Sequence, residues 1–223
     1  MRRLVILLGL ACNAGAHADD TGRYALTMAD RLEYQFDPET VVWDLQGYYG
    51  DDYHKFWWKT EGDLEGGDIE EAWVDLLYSR AWTAFFDLQA GIRLDRVNDT
   101  THTSLAIALL GLSPYRFEMD TTLLFDEYGG VRLQAEFERD FLVTQRLILQ
   151  PRAEALLATK DTPELAVSSG FNELELELRL RYEFHRKFAP YLGVAWTRRF
   201  GDAATAAGST EDTTVVAGLR AWF

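Results

Sequence analysis

Alternation of apolar and polar residues runs through this sequence from end to end. Between Glu173 and Phe184 the residues Leu174, Leu176, Leu178, Leu180, Tyr182 and Phe184 interleave with Glu173, Glu175, Glu177, Arg179, Arg181 and Glu183. Side chains of an extended strand point alternately to its two faces, whereas a helix renews its apolar face every three to four residues. The same period recurs in Leu32, Tyr34 and Phe36 against Arg31, Glu33 and Gln35, and in Phe86, Leu88, Ala90, Ile92 and Leu94 against Asp87, Gln89, Arg93 and Asp95. Tyr115, Phe117, Met119 and Thr121 oppose Arg116, Glu118, Asp120 and Thr122 in the same way. A chain of such strands is all-β and antiparallel.

Alternation alone fits a soluble sandwich, whose apolar face is the core, and equally a membrane barrel, whose apolar face meets lipid. Three features favour the barrel. The strands run to about ten residues, which suits a tilted crossing of about 9–11 and exceeds the ~5–6 usual in soluble sheets. Aromatics gather near strand ends (Tyr24, Tyr48, Tyr49, Tyr53, Trp57, Trp58, Tyr115, Phe188, Tyr191, Phe200 and Phe223), as interfacial girdles require. The last strand places Val215, Ala217, Leu219, Ala221 and Phe223 on one face, and a closing Phe resembles the signal by which outer-membrane barrels are recognised for assembly.

The pattern divides into strands at 24–36, 40–50, 54–62, 68–79, 84–95, 102–112, 114–125, 130–138, 146–158, 171–184, 190–200 and 213–223. The expected fold is therefore a transmembrane up-and-down β-barrel of about twelve strands, its backbone ring on the order of 20 Å across. With both chain ends on the periplasmic side, the longest connections, 159–170 and 201–212, fall outside, as such barrels demand. On this phase Leu178→Arg costs ~2–4 kcal/mol and Glu177→Gln much less.

Met1-Arg2-Arg3 followed by the apolar run Leu4 to Ala11 has the form of a signal peptide, and Ala16-His17-Ala18 of its cleavage site. Residues 1–18 are then the leader and 19–223 the barrel domain; loss of Arg2 and Arg3 takes the formal net charge from −14 to −16. Gly9-Leu10-Ala11-Cys12 also admits a lipobox reading in which Cys12 is kept and acylated. Cleavage after Ala18 instead removes the single cysteine, and with it any disulfide or thiolate metal site. The longest later apolar stretch, Leu105 to Leu112, is too short for a spanning helix of roughly 20 residues. The acidic balance, without clustered Lys and Arg, argues against nucleic acid.

Inward positions carry mostly carboxylates: Glu33, Asp44, Glu61, Asp75, Asp87, Asp95, Glu118, Asp120, Glu136, Glu138, Glu154, Glu173, Glu175, Glu177 and Glu183. Their basic counterparts are Arg31, Lys59, Arg93, Arg116, Arg132, Arg152, Arg179, Arg181, Arg199 and Arg220. Salt-bridge networks that hold a nearly closed barrel and an acidic surplus that favours cations are compatible expectations. Catalysis needs convergent groups at one depth. His54 and His185 map to different periplasmic turns and His102 to the external side, and there is no HExxH, GxSxG or phosphate-binding Gly motif, so no catalytic residues are expected.

Seven ordered segments carry a family resemblance: Lys59-Thr60-Glu61-Gly62, Leu76-Leu77-Tyr78-Ser79-Arg80-Ala81, Asp87-Leu88-Gln89-Ala90-Gly91, Arg146-Leu147-Ile148-Leu149-Gln150-Pro151-Arg152, Leu178-Arg179-Leu180-Arg181-Tyr182-Glu183, Phe188-Ala189-Pro190-Tyr191 and Val216-Ala217-Gly218-Leu219-Arg220-Ala221-Trp222-Phe223. From Asp30 to Phe223 the chain resembles the barrel region of the bacterial copper resistance protein B family. The resemblance implies a protein of the Gram-negative outer membrane that binds or handles copper ions, with a periplasmic multicopper oxidase or copper-binding protein as partner. Family members often carry a Met- and His-rich segment before the barrel; here the expected mature chain has only Met28 and Met119, and Met119 shares the lipid-facing phase of Phe117. Lumen carboxylates, with Glu118, Asp120, Glu136, Glu173, Glu175 and Glu177 as candidates, are then the expected metal contacts, and they hold Cu(II) without much selectivity. A general small-solute or cation pore and an outer-membrane barrel enzyme are the other readings to separate.

Overall fold

In the computed structural model the described residues are 22–36, 39–97, 100–201, 204 and 209–223. The expected leader at 1–18, with Cys12 and the cleavage site, lies outside them. The described residues form one antiparallel sheet in which each strand pairs with its neighbours in sequence and the last pairs with the first. The strands are β1 Tyr24–Phe36, β2 Glu39–Gly50, β3 His54–Glu65, β4 Asp68–Ala81, β5 Phe86–Val97, β6 Thr100–Ser113, β7 Phe117–Asp126, β8 Val131–Glu138 with its continuation Phe141–Leu142, β9 Leu147–Ala158, β10 Gly170–Tyr182, β11 Phe188–Arg199 and β12 Glu211–Trp222. Closure is what the apolar outer face requires, because lipid offers no partner to an exposed sheet edge.

The break in β8 has a local cause. Glu138 lies opposite Arg152 and Leu142 opposite Ile148, so both pieces keep one register. That register puts Arg139 opposite Pro151, which has no N–H to give the ladder. Arg139 N still donates to Pro151 O at 3.2 Å. The two pieces are one strand, and the described barrel has twelve.

The outer face carries the alternating apolar set: Leu176, Leu178 and Leu180 on β10, Leu105 and Ile107 on β6, and Val215 on β12 are all exposed. Met119, expected to face lipid, alternates with inward Glu118 and Asp120 yet is half-buried and borders the lumen. The connections at the end that holds Phe223 are all short, and the two longest, 159–169 and 200–210, lie at the other. The hairpin at Gly66-Gly67 uses positive φ at both residues, 61° and 98°, as a two-residue turn needs.

Three further expectations are corrected. The strand expected to start at 114 begins at Phe117, since Pro114–Arg116 form a 3₁₀ turn with Tyr115 at φ 66°. Trp57 and Tyr191, expected in an interfacial girdle, are buried in the lumen, and Tyr48 packs beside Trp57 at 4.9 Å between ring centroids. Period two dictates this, since Tyr48-Tyr49 and Trp57-Trp58 are adjacent pairs and one member of each must face inward. Finally, Arg116, expected among the inward basic residues, is exposed in the Pro114–Arg116 turn. Part of the lumen is apolar, with Trp57, Leu77, Ala106, Ala108 and Leu124 forming a wall on the inner side of β3, β4, β6 and β7.

Candidate functional site in the barrel lumen

Opposite that wall the lumen is filled by ion pairs. Arg152 on β9 is the hub: its guanidinium donates to Glu177 at 2.9 Å, Glu175 at 3.2 Å and Glu136 at 2.9 Å, and also pairs with Glu154. Arg31, projecting from β1, meets the same Glu177 at 3.3 Å, Asp44 at 3.4 Å and Glu61. Arg179 completes the group, paired with Glu177 and 3.4 Å from Glu33. Three guanidiniums thus share Glu177, whose side chain is almost wholly buried. Such pairs offset much of their desolvation cost by mutual attraction, so their main effect is to fix geometry and not to add stability.

Nearer β5, Arg93 grips Asp75 in a bidentate pair at 2.6 Å per bond, stacks over Trp73 at 3.9 Å and donates to Gln134 at 2.5 Å. Gln134 in turn donates to Glu154 at 2.6 Å, which joins this pair to the Arg152 hub. Arg132 reaches from β8 to Asp95 on β5 at 2.5 Å. Lys59 on β3 pairs with Asp120 on β7, a chord across the ring between strands that share no ladder.

Between network and wall lies a cavity of about 90 Å³. Eight carboxylates line it (Asp30, Asp44, Glu61, Asp75, Glu118, Asp120, Glu136 and Glu138) against the cations Lys59 and Arg93. Glu118 and Glu138 stand directly opposite one another on β7 and β8, a like-charge pair that costs stability unless a cation or proton intervenes. Asp30 was not legible as inward. A bulge sets Ala29 opposite Leu45 and Arg31 opposite Asp44, so that neighbours Asp30 and Arg31 are both buried, and Asp30 pairs with Arg220 at 2.6 Å. No local signal in the sequence marks that bulge.

The six candidate carboxylates separate into groups. Glu118, Asp120 and Glu136 line the cavity. Glu175 and Glu177 lie with Glu136 around Arg152, while Glu173 pairs with Arg199 at 3.1 Å toward the loop end. Among the described residues, no three of His, Cys, Asp and Glu assemble in a metal-ligating cluster. Met28 Sδ accepts from Arg220 at 3.6 Å. The histidines stay apart: His54 starts β3, His185 sits in the β10–β11 turn, and His102 on β6 meets the Tyr128 hydroxyl at 2.9 Å toward the loop end. There the β9–β10 loop folds against the barrel, burying Leu165 and Val167 on Ala158.

Closed sheet, apolar outer face and a polar lumen narrowed by side chains together define a transmembrane β-barrel of porin-like architecture. Solved porins share the fold: the NanC porin aligns with TM-score 0.58 at 11% identity over 88% of this chain and 98% of its own, and the KdgM porin with TM-score 0.53 at 12% identity over 89% and 99%. The chain belongs to the copper resistance protein B family, whose model, described as copper resistance protein B precursor, matches residues 23–223. The copper resistance protein B of Escherichia coli is 36% identical over 218 residues, 95% of this chain and 74% of that protein. A copper resistance protein B homolog of Pseudomonas syringae pv. tomato is 33% identical over 217 residues, with the same coverage of each.

Proposed function

We propose that this chain is an outer-membrane barrel of copper tolerance that handles copper as a weakly held cation in its lumen, without catalysing a reaction. The observation that carries this reading is a cavity lined by eight carboxylates, six paired with cations while Glu118 and Glu138 face one another without an ion pair among the described residues, in a member of the copper resistance protein B family. Carboxylate oxygens hold Cu(II) without much selectivity, whereas Cu(I) selection calls for thioether or thiolate sulfur. Met28 already faces Arg220, and Met119 alone among the cavity-lining residues carries sulfur, so the described lumen offers Cu(I) a single thioether. Glu118, which no cation of the described network pairs, is the candidate best placed to meet a passing cation; Asp120, paired with Lys59, and Glu136, paired with Arg152, line the same cavity. Glu175 and Glu177 hold the guanidiniums in place, and Glu173 belongs to the mouth. A periplasmic multicopper oxidase or copper-binding protein is the partner this role calls for.

A strain lacking the gene, scored for growth across copper, zinc and silver, tests the reading. Sensitivity to copper above the other metals is expected; sensitivity to no metal sinks the copper assignment. The second reading, a small-solute or cation pore without metal preference, draws on the porin-like fold. Equal sensitivity to every metal, or a shift in general solute uptake alone, favours it. Purified barrel should bind Cu(II) weakly and Cu(I) hardly at all, and tight stoichiometric Cu(I) binding overturns the ligand argument.

A further inference from the structure

Along one stretch of rim the turn end of the barrel carries five cations that the lumen does not use. Arg116 lies in the β6–β7 turn, Arg139 and Arg146 at the β8–β9 hairpin, and Arg186 and Lys187 in the β10–β11 turn. Strands β6 to β11 are consecutive neighbours in the sheet, so the five form an arc along one stretch of rim. Among the described residues no carboxylate pairs with any of them, while Arg31, Arg93, Arg152 and Arg179 in the lumen are all paired. In a chain of net charge −14, an arc of cations without counter-charges calls for an external anion.

The phenylalanines beside the arc follow the outward phase, whereas Trp222 shares the inward phase of Arg220. The Arg139 guanidinium lies 4.5 Å from the Phe141 ring centroid and 5.4 Å from that of Phe117. Lys187 Nζ stands 5.0 Å over the Trp222 ring, and Trp222 Nε1 donates to Arg186 O at 2.8 Å, which holds the turn against the last strand. Beside Arg186 and Lys187, Phe184, Phe188 and Phe223 wall a shallow apolar depression. Phe184 continues the outward phase of Leu178, Leu180 and Tyr182, and Phe223 that of Leu219. The depression therefore opens on the wall that acyl chains cover, and not on the lumen.

We infer that this arc binds the headgroups of anionic phospholipids in the leaflet at the turn end. Arg146, Arg186 and Lys187 meet the phosphate, and an acyl chain lies over Phe184 and Phe188. Exposed aromatics beside unpaired cations match a molecule that is anionic at one end and apolar along its length. An acidic protein would meet the cations as well, but it would have to displace lipid from the phenylalanines to dock. The inference is independent of what the lumen carries.

The test uses purified barrel in mixed micelles, with bound lipid read by native mass spectrometry after equal exposure to phosphatidylglycerol and phosphatidylcholine. The protein should retain phosphatidylglycerol preferentially. The variant R139Q/R146Q/R186Q/K187Q, checked for an intact barrel by heat-modifiable migration, should lower that preference roughly tenfold or more, since each cation at a charged headgroup layer gives a factor of about five. Lys160→Gln at the opposite end should leave it unchanged, and inorganic phosphate at the same concentration should not displace the lipid. Equal retention of both lipids by the unaltered protein, or a preference that survives in the fourfold variant, overturns the inference and leaves the arc to an acidic protein.

Discussion

The Tyr191 hydroxyl donates to Glu33 Oε2 at 3.0 Å across the seam where the barrel closes, although 158 residues separate the two in the chain. Tyr191 is on β11 and Glu33 on β1, and β12 runs between them. The phenol crosses that strand at Gly218, its direct partner in the ladder, where a Cβ would run into the Tyr191 ring. Gly218 is thus the slot through which one side chain ties the last two strands of the ring to the first. Tyr191→Phe should cost about 1–3 kcal/mol, because the buried Glu33 acceptor loses its neutral donor while Arg179 stays in reach. Gly218→Ala should also destabilise, by displacing the ring. Urea unfolding of the refolded barrel, followed by tryptophan fluorescence, measures both; an unchanged midpoint for Tyr191→Phe would remove the clasp.

Neighbouring positions on β10 should respond for opposite reasons. Leu178 faces outward and is about half exposed to the lipid side, so Leu178→Arg should cost ~2–4 kcal/mol near mid-bilayer. The alternation alone suggests that Glu177→Gln is the milder change, yet Glu177 is shared by Arg31, Arg152 and Arg179. Neutralising it leaves three buried guanidiniums short of counter-charge, and about 3–5 kcal/mol is expected. The same urea titration separates the cases. A Glu177→Gln barrel as stable as its parent would show that the remaining carboxylates suffice.

Removal of Phe223 should block accumulation of folded barrel. Phe223 N donates to Thr27 O at 2.9 Å and Thr27 N to Phe223 O at 3.2 Å, so this residue makes the last ladder bonds of the closing seam. Its exposed ring also ends the outward apolar face that resembles an assembly signal. Heat-modifiable migration of the outer-membrane fraction reports the outcome, and wild-type levels of the truncated chain would contradict it.

The β2–β3 turn should loosen in acid. Asp51 accepts from the backbone N–H groups of Tyr53 and His54, both at 2.8 Å, and these bonds hold its carboxyl below the usual aspartate range. A carboxyl with a lowered folded pKa stabilises fully above its ordinary value, about 3.9, and loses that contribution as the pH falls through the lowered one. Amide exchange at Tyr53 and His54 should therefore stay slow through neutral pH and quicken, relative to other turn amides, only below about 4. In Asp51→Ala the relative exchange should be fast at every pH; a pH-independent ratio in the unaltered protein would count against the cap.

The architecture and the inward phase were legible because both follow from a local rule. Two-residue alternation assigns every side chain of a regular strand to a face, so the carboxylates of Glu173 to Glu177 and the leucines between them declared themselves without tertiary information. The expected placement of the long connections at one end agrees with the loop that buries Leu165 and Val167. The same rule, applied to Tyr48-Tyr49 and Trp57-Trp58, would have moved one aromatic of each pair into the lumen.

What the sequence by itself determined is therefore the strand order, the apolar outer face and the acidic character of the lumen. Tertiary structure alone decided which charges neutralise which. Glu177 meets Arg31 at 3.3 Å across 146 residues, and Lys59 meets Asp120 across 61, because closing the ring brings strands face to face that never share a ladder. It decided the bulge at Asp30, which turns two consecutive residues inward, and the left-handed turn at Tyr115. It also decided that, of the carboxylates beside the cavity, Glu118 and Glu138 face one another without an ion pair among the described residues. The physical reason is range: the alternation is enforced within each strand by backbone geometry, whereas a charge's partner is set by the diameter and stagger of a ring that exists only once all its strands have closed.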